Sequence, residues 1–106
     1  MFARNVSVHL KPNTVGEFTR ALESEILPWL RQQEGFLDLI TLADPGGREV
    51  LAISFWDLKE NAQTYGSTGY PEALKILKKL LDGTPHVRTF DVVSSTLQKV
   101  TPRVAA

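Results

Sequence analysis

Val50-Leu51-Ala52-Ile53-Ser54-Phe55-Trp56 is the stretch on which the fold turns. Side chains of a strand alternate between faces, so this run divides into Leu51, Ile53 and Phe55 on one side and Val50, Ala52, Ser54 and Trp56 on the other. Neither set is polar, as one would be in an antiparallel strand with a solvated face. Phe36 to Ala43 repeats the pattern, with Phe36, Ile40 and Leu42 against Leu37, Leu39 and Ala43. Asp44-Pro45-Gly46-Gly47 between the two runs supplies turn residues, so they read as a hairpin apolar on both faces.

Working outward, Phe2 to Leu10 alternates, Val6, Val8 and Leu10 against Asn5, Ser7 and His9, and predicts a first strand. Thr14 and Glu17 then have the spacing of a capping box, and Val15, Phe18, Leu22, Ile26 and Trp29 form the stripe of an amphipathic helix ended by Gly35. Pro28 inside that stripe predicts a kink or an early end. After the hairpin, Asp57 stands as an N-cap with Glu60 three residues on, opening a short helix expected to fail at Gly66-Ser67-Thr68-Gly69. A second segment with Tyr70, Leu74, Leu77 and Leu81 on one stripe follows, then a last strand over Val87 to Leu97.

The order βαββαβ implies an α+β, ferredoxin-like domain: a four-stranded antiparallel sheet with two helices on one face. Two helices cover only one side of such a sheet, and a bare apolar face of several hundred Å² is uncommon on a soluble monomer. The uncovered side is therefore expected to meet its counterpart in a second copy, making a homodimer.

Composition narrows the function classes. The 106 residues suffice for one domain, expected over 1–99, with residues 100–106 as a C-terminal tail. Twelve Lys and Arg balance twelve Asp and Glu, which leaves no overall electrostatic footprint for nucleic acid or an anionic membrane. No cysteine is present, so thiolate metal sites, disulfides and a cysteine nucleophile are excluded. No apolar run approaches the roughly 18 residues of a membrane span, and the opening residues carry no apolar leader, so a cytoplasmic location is expected.

Several pieces, in order, carry a resemblance: Leu10-Lys11-Pro12 before a helix with Phe18, Glu34-Gly35-Phe36 entering the second strand, and Trp56 ending the third. Ala62 and Tyr65, the break from Ser67 to Tyr70, the Leu-rich helix and Pro85-His86-Val87-Arg88-Thr89-Phe90-Asp91 complete it. Together they resemble the antibiotic biosynthesis monooxygenase-like family of the dimeric α+β barrel superfamily. The resemblance implies a pocket between helices and sheet, and cofactor-independent monooxygenation of a small aromatic or quinone-like substrate. The alternative on the same scaffold is a non-catalytic dimeric module for small-molecule binding or stress response. Haem-degrading relatives use an Asn on strand one, a Trp on the second helix and a His further along it. Here Asn5 matches, Tyr65 holds the Trp position, and residues 71–81 contain no histidine, so no cofactor is expected.

The candidate site residues follow. Tyr65 and Tyr70 flank the expected helix break, where their hydroxyls could serve a substrate phenolate, Tyr65 as a catalytic donor and Tyr70 in binding; the plainer reading of both is packing. Trp56 offers an indole N–H to a ligand, or anchors the core. His9 is the candidate general base, set among Asn5 and Ser7, and Asn5 itself is a candidate substrate contact facing either the pocket or the partner sheet. Arg88 could hold an anionic substrate or form an exposed ion pair. His9 and His86 sit at neighbouring strand ends, but a metal site needs a third ligand, and none is assigned.

Overall fold

A computed structural model describes residues 1–96 of the chain. Leu97 of the expected fourth strand and the 100–106 tail fall outside the described residues; within them the strand ends at Asp91, six residues short of the expected end, once its pairing with β1 stops at Phe2. The elements are β1 (Phe2–His9), α1 (Val15–Ala21), a π-helical segment (Leu22–Ile26), α2 (Leu27–Arg31), β2 (Phe36–Ala43), β3 (Glu49–Trp56), α3 (Lys59–Leu77), a 3₁₀ turn (Lys78–Leu80) and β4 (His86–Asp91). The four strands form an antiparallel sheet in the order β2-β3-β1-β4, the ferredoxin-like arrangement. Among the described residues, no helix is long and apolar enough to cross a membrane.

Register sorts the two sheet faces. Phe2, Arg4, Val8 and Leu10 are buried toward the helices, joined by Val50, Ser54 and Trp56 of β3. On the opposite face Asn5 pairs with Ile53, which pairs with Ile40, while Ser7, Leu51 and Leu42 form the next row. The core lies between the first face and the helices, where Phe18, Leu22, Ile26 and Leu30 meet Ala62, Tyr65 and Ala73.

The helices correct four expectations. The capping box does not form, because the Thr14 hydroxyl donates to the Lys11 carbonyl (2.7 Å) and no side chain caps the helix. Pro28 neither ends nor breaks the helix. The turn before it widens into the π segment, with the Leu27 N–H donating to the Leu22 carbonyl, and so accommodates the missing proline donor. Finally, α3 runs unbroken through Gly66, Gly69 and Pro71. Packing overrides local propensity there: Gly69 is buried against the Tyr65 ring, and the Trp29 indole donates to the Gly69 carbonyl at 3.0 Å. The helix opens at Leu58 instead of Asp57, whose carboxylate accepts from the Leu58 N–H (2.6 Å) and the Asn61 amide (2.9 Å).

Candidate functional site

Strand alternation carries a charged residue into the core. Arg4 lies between Phe2 and Val6 on the helix-facing side of β1 and is only 6% exposed. Its guanidinium carbon stands 4.1 Å from the centre of the Tyr70 ring and 5.4 Å from that of Tyr65. Among the described residues no carboxylate is within ion-pairing reach of Arg4, and its side chain donates no hydrogen bond to them. Two tyrosine ring faces are therefore its main compensation for desolvation, an attraction of about 0.5–2 kcal/mol each. Burial lowers the Arg4 pKa, but a guanidinium stays charged throughout the working range.

The rings form a connected series. Phe36 meets Trp56 edge-on (5.7 Å), Trp56 stacks on Tyr65 (5.0 Å, 30°), and Tyr65 meets Tyr70 edge-on (6.4 Å). Trp56 is fully buried; its indole N–H donates to the Ser54 hydroxyl at 2.9 Å, and that hydroxyl reaches the Arg4 carbonyl at 3.4 Å. The indole donor is thus already engaged, and Trp56 braces Tyr65 from behind. Burial pushes the Tyr65 phenol up to about 12, with the Arg4 charge pulling the other way, so the group remains a neutral O–H donor at physiological pH. Tyr70 is raised for the same reason, again opposed by Arg4.

Arg4, Ser54, Tyr65 and Tyr70 are the polar members of a cavity of about 50 Å³ between sheet and helices, walled by side chains such as Val6, Leu22 and Leu77. That volume admits a few waters, whereas pockets for drug-sized ligands reach several hundred Å³.

Of the residues singled out in the sequence, Tyr65 and Tyr70 are brought together at this cavity. Asn5, His9 and Arg88 are not. All three lie on the opposite face: Asn5 is paired in register with Arg88, His9 is exposed opposite Glu49, and the Arg88 guanidinium carbon lies 5.0 Å from the Phe90 ring centre. The Asn5 carbonyl oxygen is buried there without a hydrogen-bond partner. His86 shares that face, one row from His9. The described residues hold no group of three or more His, Cys, Asp or Glu suited to a metal ion. Sequence reasoning missed Arg4, although its register with Val6, Val8 and Leu10 was the available signal.

The glycine behind Tyr65 is sterically required. A Cβ at Gly69 stands 2.6 Å from Tyr65 Cδ1 and 2.9 Å from the Gln33 side-chain oxygen. Gly69→Ala is expected to destabilise the fold by about 1–2 kcal/mol, overpacking outweighing the helical preference for alanine, as measured by urea unfolding.

The sequence matches no protein-family model and no curated protein. Solved structures do match. A Bordetella bronchiseptica protein provisionally named as an antibiotic biosynthesis monooxygenase superposes with TM-score 0.76 at 14% identity, over 88% of this chain and 97% of that one. The ActVA-Orf6 monooxygenase of Streptomyces coelicolor, solved with nanaomycin D, gives 0.74 at 20% identity, over 92% of each chain. SnoaB, a cofactor-independent oxygenase from Streptomyces nogalater, gives 0.73 at 14% identity, over 92% of this chain and 97% of that one. The chain therefore has the fold of the antibiotic biosynthesis monooxygenase-like proteins.

Proposed function

We propose that the chain is a cofactor-independent monooxygenase acting on a small aromatic or quinone-like molecule held between the helices and the sheet. The observation that carries this reading is Arg4, a buried cation without a carboxylate partner among the described residues, beside two neutral phenols at the end of an apolar cavity. The likeness in fold to ActVA-Orf6 and SnoaB supports it.

The chemistry requires little of the protein. An anthrone-type CH₂ loses one proton to give a resonance-stabilised anion, which transfers one electron to O₂. The resulting radical and superoxide combine to form a C–O bond. The peroxide then loses water, breaking the O–O bond and the second C–H bond, so that CH₂ and O₂ become C=O and H₂O. Arg4 favours the anion by its charge, and the Tyr65 and Tyr70 hydroxyls donate to the forming oxyanion. Among the described residues no carboxylate or histidine lines the cavity, so the proton leaves to water.

Oxygen uptake with a panel of anthrones and quinols tests the reading. The rate is expected to rise with pH along the substrate's own ionisation, without an inflection near 6.5 where an ordinary histidine titrates. Tyr65→Phe is expected to lower it about tenfold, and His9→Ala to leave it within about twofold. Absence of uptake across the whole panel favours a binding module on the same scaffold.

We further infer that two copies pair through the face opposite the helices. That face presents Ile40, Leu51, Ile53 and Phe55 half-buried, with Leu42 at 49% and Phe90 at 42% exposure. A donor from a second copy would also satisfy the buried Asn5 carbonyl.

A further inference from the structure

Gly66 is the glycine of α3 that neither packing nor backbone geometry requires. Glycine weakens a helix interior relative to alanine, so its presence calls for a reason. At Gly69 the reason is the Tyr65 ring. At Gly66 the atoms nearest a Cβ belong to the Arg4 side chain, 3.5 Å from both Nε and Nη2, an ordinary contact distance that an alanine tolerates. The missing methyl leaves open the Nε/Nη2 edge of a buried guanidinium. That edge receives a carboxylate through two parallel N–H···O bonds.

The same edge borders a second, outward-facing cleft of about 450 Å³. Exposed Gln63, Ser67 and Thr89 form its rim, buried Phe2 and Ala62 its apolar lining, and Arg4 is common to this cleft and the tyrosine-lined cavity. A cation without a carboxylate partner among the described residues, an apolar wall and a polar rim together fit a ligand with one anionic end and one flat apolar end.

We propose that this cleft binds the carboxylate of a small aromatic acid on the Nε/Nη2 edge of Arg4, with the ring against Phe2 and Ala62. A single cation and an apolar wall favour a monovalent planar carboxylate over a divalent phosphate. The site does not depend on the oxygenation reading, because it needs neither tyrosine hydroxyl nor O₂.

Isothermal titration of the full chain with benzoate, benzamide and inorganic phosphate tests the proposal. Benzoate is expected to bind about tenfold or more tightly than neutral benzamide, and more tightly than phosphate. Gly66→Ala is expected to melt about 4–8 °C higher yet bind benzoate about tenfold more weakly, because its methyl occupies the carboxylate's place. Arg4→Met is expected to lose the preference for benzoate over benzamide. Equal affinity for benzoate and benzamide, tighter binding of phosphate, undiminished benzoate binding by Gly66→Ala, or no binding at millimolar benzoate overturns it.

Discussion

Arg4→Met is expected to reduce the rate of oxygen uptake by about 10²–10³-fold on whichever anthrone or quinol the protein turns over, while the chain stays folded. The magnitude is that of removing an aimed group from a developing oxyanion. Methionine keeps an unbranched apolar stem beside Tyr65 and Tyr70, so the packing loss is small. The stability change is small as well, because two opposing terms disappear together. One is the cation–π attraction to the two rings; the other is the desolvation of a guanidinium that no carboxylate among the described residues compensates. An arginine kept only for structure would behave in the opposite way, with melting temperature falling and turnover holding. Steady-state oxygen uptake and thermal unfolding on the same preparation separate the two. Turnover within twofold of the parent chain would remove Arg4 from the chemistry.

The sheet was readable from the sequence because strand signals are local. Alternation in Phe2 to Leu10 and the Asp44 to Gly47 turn point to the observed pairing, and the run from Val50 to Trp56 is the strand that pairs with both β1 and β2. The helices were harder because their punctuation depends on distant partners. Gly66, Gly69 and Pro71 read as a break, yet Gly69 faces the Tyr65 ring and accepts from Trp29, which lies 40 residues earlier in the chain. Pro28 reads as a kink, and a widened turn absorbs it. The site was only half readable. Tyr65 and Tyr70 were visible as aromatics near a glycine cluster, whereas Asn5 and His9, drawn from the polar set of β1, lie on the face away from this cavity, one of the two orientations that the alternation left open for Asn5. The informative residue was the charged member of the apolar set, Arg4, whose meaning depends on α3 bringing two rings over it.

Ile53→Asp is expected to convert a two-chain particle into single chains, with association weakened about 10³-fold or more. Ile53 lies mid-sheet on the face away from the helices, between Asn5 of β1 and Ile40 of β2. In one copy that position is half-buried, so an aspartate there remains hydrated and the fold survives. When two such faces close on each other, each aspartate loses water without gaining a partner, at a cost of several kcal/mol per charge. A stable interface buries about 800 Å² on each side, and the rows carrying Ile40, Leu42, Leu51, Ile53 and Phe55 supply the apolar centre it needs. Sedimentation at micromolar concentration should give twice the chain mass for the parent protein and the chain mass for the variant; single chains for the parent protein would sink the pairing. The cavity and the Arg4 cleft lie on the helix side of the sheet, away from this surface. Benzoate binding should therefore survive in the dissociated variant, and its loss there would mean that pairing shapes the site as well as covering the sheet.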